Sequence, residues 1–465
     1  MTQASSNRSL ALNDSRAALW QRALRDGGLH LHGYWKYDWR DGYVRVGAIE
    51  RRGDGGGFDI TFASGAETGY PPADGCRFYA LNALRLLDAP GEYYVSEDGR
   101  LYFYPPGGAL AADVSVSVLP HVLRLRGVRH HSFRHMAFST SRGAAVDAAG
   151  CSNVSFLSTS VSNSGGAGAC IAISGDSNTI RDSTVSGCAG AGVSVVGGDT
   201  ATLRGSNTSV VGNAISNFSR LVRTYAPGVH FDGVGLHVGN NSVKHAPHAC
   251  MTGGGSNHVF EHNRLEHCVY ECIDAGAFYV GRSWAQRGNV VRFNVFHTVR
   301  PTERLAQRSC SQNALYLDDQ MSGYDVYGNT IVNATQGVLL GGGRRNRLHN
   351  NTFVACDVDV AFDARGLSWQ RGSCQKNCSA SMGTSTTSCF ANALRAVHYT
   401  RPPYAAAFPE LASIYQEHPC VPVGNVIEDN RYCHAGSKGG GLFLDRSEAQ
   451  VRQWYSSVSN NREAC

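Results

Sequence analysis

The chain has 465 residues, of which 42% are hydrophobic and only 17% charged, with 54 glycines; this is the composition of a folded protein long enough for one large domain with smaller attachments. Its 42 basic and 37 acidic residues leave a formal charge of +5, and the basic ones are scattered, which gives no support to a nucleic-acid partner and is compatible with an acidic glycan. No apolar run reaches the roughly 18 residues that a membrane-spanning helix needs, so no membrane span is expected.

The chain opens with MTQASSNRSLALNDSRAALWQRAL, which has no apolar core followed by a small-residue cleavage site and does not read as a secretory signal. The 15 cysteines nevertheless favour an oxidising compartment, extracellular or in the secretory pathway. Export by another route, or an incomplete N-terminus, is therefore expected. A short helix is predicted over residues 14–25. GLHLHGYWKYDWRDGYVRVGAIE and GEYYVSEDGRLYFYPP then alternate apolar and polar residues and end in turn signals, which predicts antiparallel strands. Residues 1–125 are read as a small β-rich N-terminal module.

From residue 126 to 465 the sequence repeats a phrase in which a short alternating strand leads into Asn or Ser. The matches are NVSFLS at Ser158, NTIRDS at Ser183, TSVVGN at Asn213, LHVGNN at Asn241, HVFEHN at Asn263, NVVRFN at Asn294, YDVYGN at Asn329, NRLHNN at Asn351 and NVIEDN at Asn430. From Asn213 to Asn351 the spacings are 28, 22, 31, 35 and 22 residues, a minimal coil of 22 with insertions. A strand this short cannot bury its inward face alone, whereas stacked coils bury a continuous core and bond strand to strand. The predicted fold is all-β, a right-handed parallel β-helix of the pectate-lyase-like kind. The repeated Asn would sit in one tight turn per coil and bond the backbone of its neighbour. A Cys-rich insertion at about 366–420, holding Cys374, Cys378 and Cys389, interrupts the coils as a disulfide-tied loop before a last coil at Asn425 to Asn430. A capped solenoid of this kind is expected to be monomeric.

Unusual residues gather in the coils after Asn241, Asn263 and Asn294. Candidate substrate-binding residues there are His245, His248, His267, Glu271, Tyr279, Arg282, Trp284, His297 and Tyr316. The longest insertions, 281–288 and 302–311, belong to the same coils, and lengthened loops beside ionisable groups wall a cleft. Asp274 and Asp318, each read as ending a strand on adjacent coils, are the candidate catalytic pair, with Asp319 beside them. Two carboxylates across a glycosidic bond are the minimum for its hydrolysis, one protonating the leaving oxygen and the other attacking carbon or activating water. Crowding would separate their pKa values. Trp284 and Tyr279 are read as sugar platforms. The histidines with Glu271 also have metal-ligand chemistry, but Pro247 lies within the His-x-x-His spacing on turn-like sequence, so neither metal nor cofactor is predicted.

Several longer phrases carry a resemblance. GYWKYDW from Tyr34, LNALRLLDAPGEYYVSEDGRLYFYPP, HAPHACMTGGG, ECIDAGAFYVGRSWAQRGNVVRFNVFH, NALYLDDQMSGYDVYGNTI and FDARGLSW ending at Trp369 resemble β-helical carbohydrate-active proteins of glycoside hydrolase family 141, which includes fucosidase and xylanase activities. DAGAFY and YLDD are the specific parts. The resemblance implies Asp274 and Asp318 as catalytic carboxylates, with Asp319 the less favoured neighbour. The chain departs from that pattern at the start of its N-terminal module and in the Cys-rich insertion after Trp369. Three functions are carried forward: hydrolysis of a cell-wall type polysaccharide by two carboxylates; a polysaccharide lyase or uronate epimerase using His297 or Tyr316 as base and Arg282 to neutralise the substrate acid; and a non-catalytic glycan-binding or adhesion protein.

Overall fold

The computed structural model describes all residues except 1, 7, 54–55, 67, 109–113, 303–310, 379–388, 434–446, 455 and 464–465. Most of the predicted insertion 302–311 therefore lies outside the described residues, as does part of the Cys-rich segment. Two compact units divide the chain, Met1–Val116 and Ser117–Cys465.

In the first unit the alternating phrases form an antiparallel sheet whose order is Thr2–Ser6, Ser9–Leu12, Phe58–Phe62, Asp41–Arg51, His30–Tyr34 and Arg77–Leu81. The helix Arg16–Ala23 buries Ala17, Trp20 and Ala23 in the core with Leu10, Leu31, Trp35 and Ile60. Tyr93–Val95 and Leu101–Phe103 pair as a separate hairpin.

The second unit is a right-handed parallel β-helix. Each full coil contributes two strands to a large parallel sheet and a third to a smaller one. Alternate residues point inward and stack in register. Val229, Met251, Phe278, Leu315, Val338 and Val360 form one buried column. Val243, Leu265, Phe296, Ile331 and Phe353 form another. Because each column runs through successive coils, no coil holds its core without its neighbours.

The repeated Asn marks the corner between the second and third strands. There the N–H of Asn241 donates to Asn263 Oδ1 (3.0 Å), that of Asn263 to Asn294 Oδ1 (2.9 Å), and Asn263 Nδ2 to the Val238 carbonyl (2.9 Å). The preceding residue turns the chain with positive φ, as at Asn240, His262 and Phe293. Every buried polar group of this corner thus has a partner. The ladder begins at Thr159, whose N–H donates to Ser183 Oγ, so the predicted rung at Ser158 is off by one; it continues past Asn430 to Asn461. A second ladder, which the sequence reading missed, runs at the start of the second strands. Its members include Asn178, His258, Asn289, Asn346 and Asn425.

Cys170–Cys188 and Cys250–Cys268 each join residues 18 apart, linking the entry of a coil's first strand to the end of its third. Cys374–Cys420 and Cys378–Cys389 tie the insertion. That segment is more than the predicted loop: it holds the helices Phe390–Ala396 and Tyr404–Ala407 and a core of its own around Phe390, Leu394, Leu411 and Ile414.

Candidate functional site

Two neighbouring first strands, Ala275–Gly281 and Gln312–Asp318, form the floor of the site. Their register sets Tyr279 beside Tyr316 and Gly281 beside Asp318. The tyrosine rings lie 5.4 Å apart on the outward face. Their hydroxyls serve different carboxylates: Tyr279 donates to Asp318 Oδ2 (2.8 Å) and Tyr316 to Asp274 Oδ1 (3.0 Å).

Asp318 ends its strand, as predicted. Asp274 does not: it precedes Ala275–Gly281 with φ 53°, its N–H donating to Ser311 Oγ (3.2 Å). The acidic residue closes the turn into the strand because a short polar side chain tolerates the left-handed region. The two aspartates are nonetheless linked. Tyr316 Oη is 3.0 Å from Asp274 and 3.5 Å from Arg365 Nη1, which is 2.5 Å from Asp318 Oδ1. Laid end to end these contacts keep the two carboxylate oxygens within ~9 Å, inside the reach of a carboxylate pair across one glycosidic bond.

Arg365 is the residue that sequence reasoning missed most plainly. It lies just beyond the strand Val358–Asp363, two coils from Asp318, and crosses the intervening coil at Gly341. A Cβ on Gly341 would meet its Cζ and Nη2 at 2.8 Å, so only glycine leaves the passage open. The guanidinium also bonds Asp319 Oδ1 (3.1 Å) and Asp363 (2.6 Å to Oδ2). Burial alone would lower its pKa, but the Asp363 hydrogen bonds and the surrounding acids hold it above the usual arginine value. Asp319 is buried and engaged by Arg282 Nε, Gln370 Nε2 and Arg365. Asp318 accepts from Arg365, Tyr279 and the Asp319 N–H (2.8 Å).

Asp274 is the most exposed acid of the cluster. Desolvation of its carboxyl by the surrounding residues, with the Asp318 charge next in importance, raises its pKa above the ordinary carboxylate value, against the opposing hydrogen bond from Tyr316. Burial and then Asp318 raise Asp319 in the same direction. Tyr279 and Tyr316 stay protonated well above the usual phenol range, chiefly through burial. The cluster therefore sets a reachable carboxyl whose pKa is raised beside an Asp318 whose oxygens are held by Arg365, Tyr279 and the Asp319 N–H.

The other predicted residues divide. His248 is buried at the edge of the site, its ring 4.6 Å from that of Tyr225 and 6.0 Å from that of Tyr279. Arg282 flanks Asp319, and Glu271 pairs with Arg223 in the turn before Asp274. His245, His267 and His297, by contrast, sit on third strands, in the smaller sheet. There His245 stacks on His267 at 5.3 Å, and Glu266 is 3.8 Å from both His267 and His297. They belong to another wall of the solenoid and do not share the aspartates' floor. Trp284 is fully buried, stacked on Phe390 at 5.0 Å, and so is a core residue of the insertion and not a sugar platform. Among the described residues no group of three His, Cys, Asp or Glu side chains is arranged to hold a metal ion.

A solved structure described as a glycoside hydrolase shares the fold at 18% sequence identity and a TM-score of 0.61, over 75% of this chain and 71% of that one. No characterised protein sequence matches the chain significantly. The family model described as "Right handed beta helix region" matches residues 120–382, which include every coil that builds the carboxylate cluster. That match spans more than half of the sequence, and the chain therefore belongs to the right-handed β-helix family.

Proposed function

We propose that the chain is a glycoside hydrolase that cleaves a neutral cell-wall type polysaccharide, with Asp274 as general acid and Asp318 as nucleophile or base. The observation that carries the reading is the pairing itself: a carboxyl with raised pKa, bridged through Tyr316 and Arg365 to a second, hydrogen-bonded carboxylate on the next coil. In this reaction Asp274 gives its proton to the leaving oxygen while Asp318 attacks the sugar carbon or takes a proton from water, and Tyr316 orients the acid. The structural relative described as a glycoside hydrolase supports the same reaction class. The disulfides suit an extracellular setting.

Charge argues against the lyase and epimerase reading. Those reactions need a cation free to neutralise the substrate's acid, whereas Arg282 and Arg365 are engaged by Asp319, Asp318 and Asp363. With Asp274 added, the carboxylates outnumber the guanidiniums, which disfavours an anionic sugar. The test is incubation of the protein with a panel of neutral and uronate glycans, followed by product analysis. Release of reducing sugar by the wild type, lost ~10³-fold in Asp274→Asn with unchanged melting, is expected. Undiminished release by that variant, unsaturated ultraviolet-absorbing products, or glycan binding without cleavage would each overturn it.

A further inference from the structure

We infer that Trp369 is the aromatic platform of a sugar subsite beside Asp318, where it takes the apolar face of an uncharged pyranose ring. This deepens the hydrolase reading and rests on the carboxylate cluster being a glycan site. Trp284 is buried in the insertion, whereas Trp369 offers an exposed aromatic surface: it is 70% exposed, more than any other Phe, Tyr or Trp among the described residues.

Exposure alone would be uninformative, but the segment that carries Trp369 is fastened to the carboxylate cluster on both sides. Four residues before it, Arg365 bonds Asp318 (2.5 Å), Asp319 and Asp363. Immediately after it, the buried Gln370 bonds Asp319 Oδ1 (2.5 Å) and Gln320 (3.1 Å). Within the segment the Gln370 N–H donates to the Arg365 carbonyl (3.0 Å), closing a tight loop, and the Cys374–Cys420 disulfide fixes the chain just beyond. The indole ring lies 5.8 Å from the Arg365 guanidinium carbon, in cation–π range. An indole standing mostly in water beside the carboxylate cluster, held by the same arginine that bonds the candidate nucleophile, keeps the surface that Arg365 does not cover open to a ligand. Pyranose C–H faces are the complementary partner for such a ring, and stacking needs no charge, in keeping with the acidic balance of the cluster. Trp369 is on this account a binding residue of the subsite next to the scissile bond and takes no part in proton transfer.

The experiment uses the full chain carrying Asp274→Asn, so that bound glycan is not consumed, with neutral cell-wall oligosaccharides as titrants and tryptophan fluorescence as one readout. A shift in emission on addition of sugar is expected, and it should vanish in Trp369→Ala with affinity weakened at least tenfold by calorimetry. Trp369→Phe should retain affinity within about threefold. On the otherwise wild-type background, Trp369→Ala should raise KM about tenfold with kcat within threefold, a split that a general loss of fold would not produce. Equal calorimetric affinity with and without the indole, or a loss confined to kcat, overturns the inference while leaving hydrolysis intact. Full hydrolysis by Asp274→Asn overturns the assignment of Asp274 as general acid and leaves the subsite standing. Absence of binding by every neutral oligosaccharide tested overturns both.

Discussion

Two corners of the same coil follow opposite rules. At the corner between second and third strands, each complete turn consists of a left-handed residue and a ladder Asn, from Asn240–Asn241 to Asp429–Asn430. At the corner after the first strand, length and content change from coil to coil. There lie Arg282, the Asp318–Asp319 pair, Gly341 and the whole insertion that follows Arg365. The contrast has a physical origin. A corner whose buried amides are satisfied by the next coil's Asn cannot lengthen without breaking a bond on each side, whereas a corner open to solvent can take up any insertion that supplies its own partners. The repetitive corner holds the register, and the variable one exploits it to bring side chains from two coils, across a third, onto one guanidinium.

That division can be tested by perturbing each corner and reading both stability and turnover. The largest effect is expected from Asp318→Asn, which should lower kcat by ~10³-fold or more under saturating glycan, with the circular dichroism spectrum unchanged. Asn263→Ala attacks the other corner. It leaves the buried Asn241 N–H and the Val238 carbonyl without partners, so equilibrium denaturation should show a loss of about 3 kcal/mol, while kcat per folded molecule stays constant. Loss of turnover without loss of stability in that variant would break the division.

His258 offers a pH-dependent version of the same test. In the second ladder its Nδ1 accepts from the Leu236 N–H (3.0 Å) and its Nε2 donates to the Gly254 carbonyl (2.9 Å), so the ring must be neutral. Burial depresses its pKa from the ordinary 6.5 to about 4. As pH falls from 6.5 towards 4 the unfolded chain takes up a proton that the folded ring refuses, and stability should decline by up to ~3 kcal/mol. His258→Asn restores the residue used elsewhere in the ladder, as at Asn289, and should flatten this component of a pH series of melting curves. The smallest effect is expected from Gly341→Ala. Its added methyl displaces Arg365 from its carboxylates, so kcat/KM should fall about tenfold together with a lowered melting temperature, and an unchanged kcat/KM per folded molecule would detach Arg365 from the reaction.

The difference between corners also explains what could be read from the sequence. The Asn ladder was legible because one buried environment, repeated, demands one side chain; at Ser158 neighbouring hydroxyl residues blurred it by a position. The second ladder was hidden because His258 and Thr208 stand in for Asn there. Asp318 and Asp274 were legible as acids on adjacent coils, but the strand boundary at Ala275 was not, since a turn aspartate and a strand-ending one look alike in sequence. His245, His267 and His297 lie away from the aspartates because residues after a ladder Asn enter a third strand and face a different sheet, which the sequence pattern alone does not reveal. Trp284 and Arg365 find their partners more than 40 residues away, in Phe390 and Asp318, and no local pattern carries that information.

The paired cysteines Cys170–Cys188 and Cys250–Cys268 turn two rungs into covalent hoops. A protease that nicks the backbone inside either hoop cannot separate the chain, and a pulling force along the polypeptide cannot extend the residues enclosed by a hoop. The stretch between the hoops, from Ala189 to Ala249, is thereby clamped at both margins just ahead of the coils that carry Asp274 and Asp318, so reduction should shorten the molecule's survival under tension or digestion well before it alters its shape.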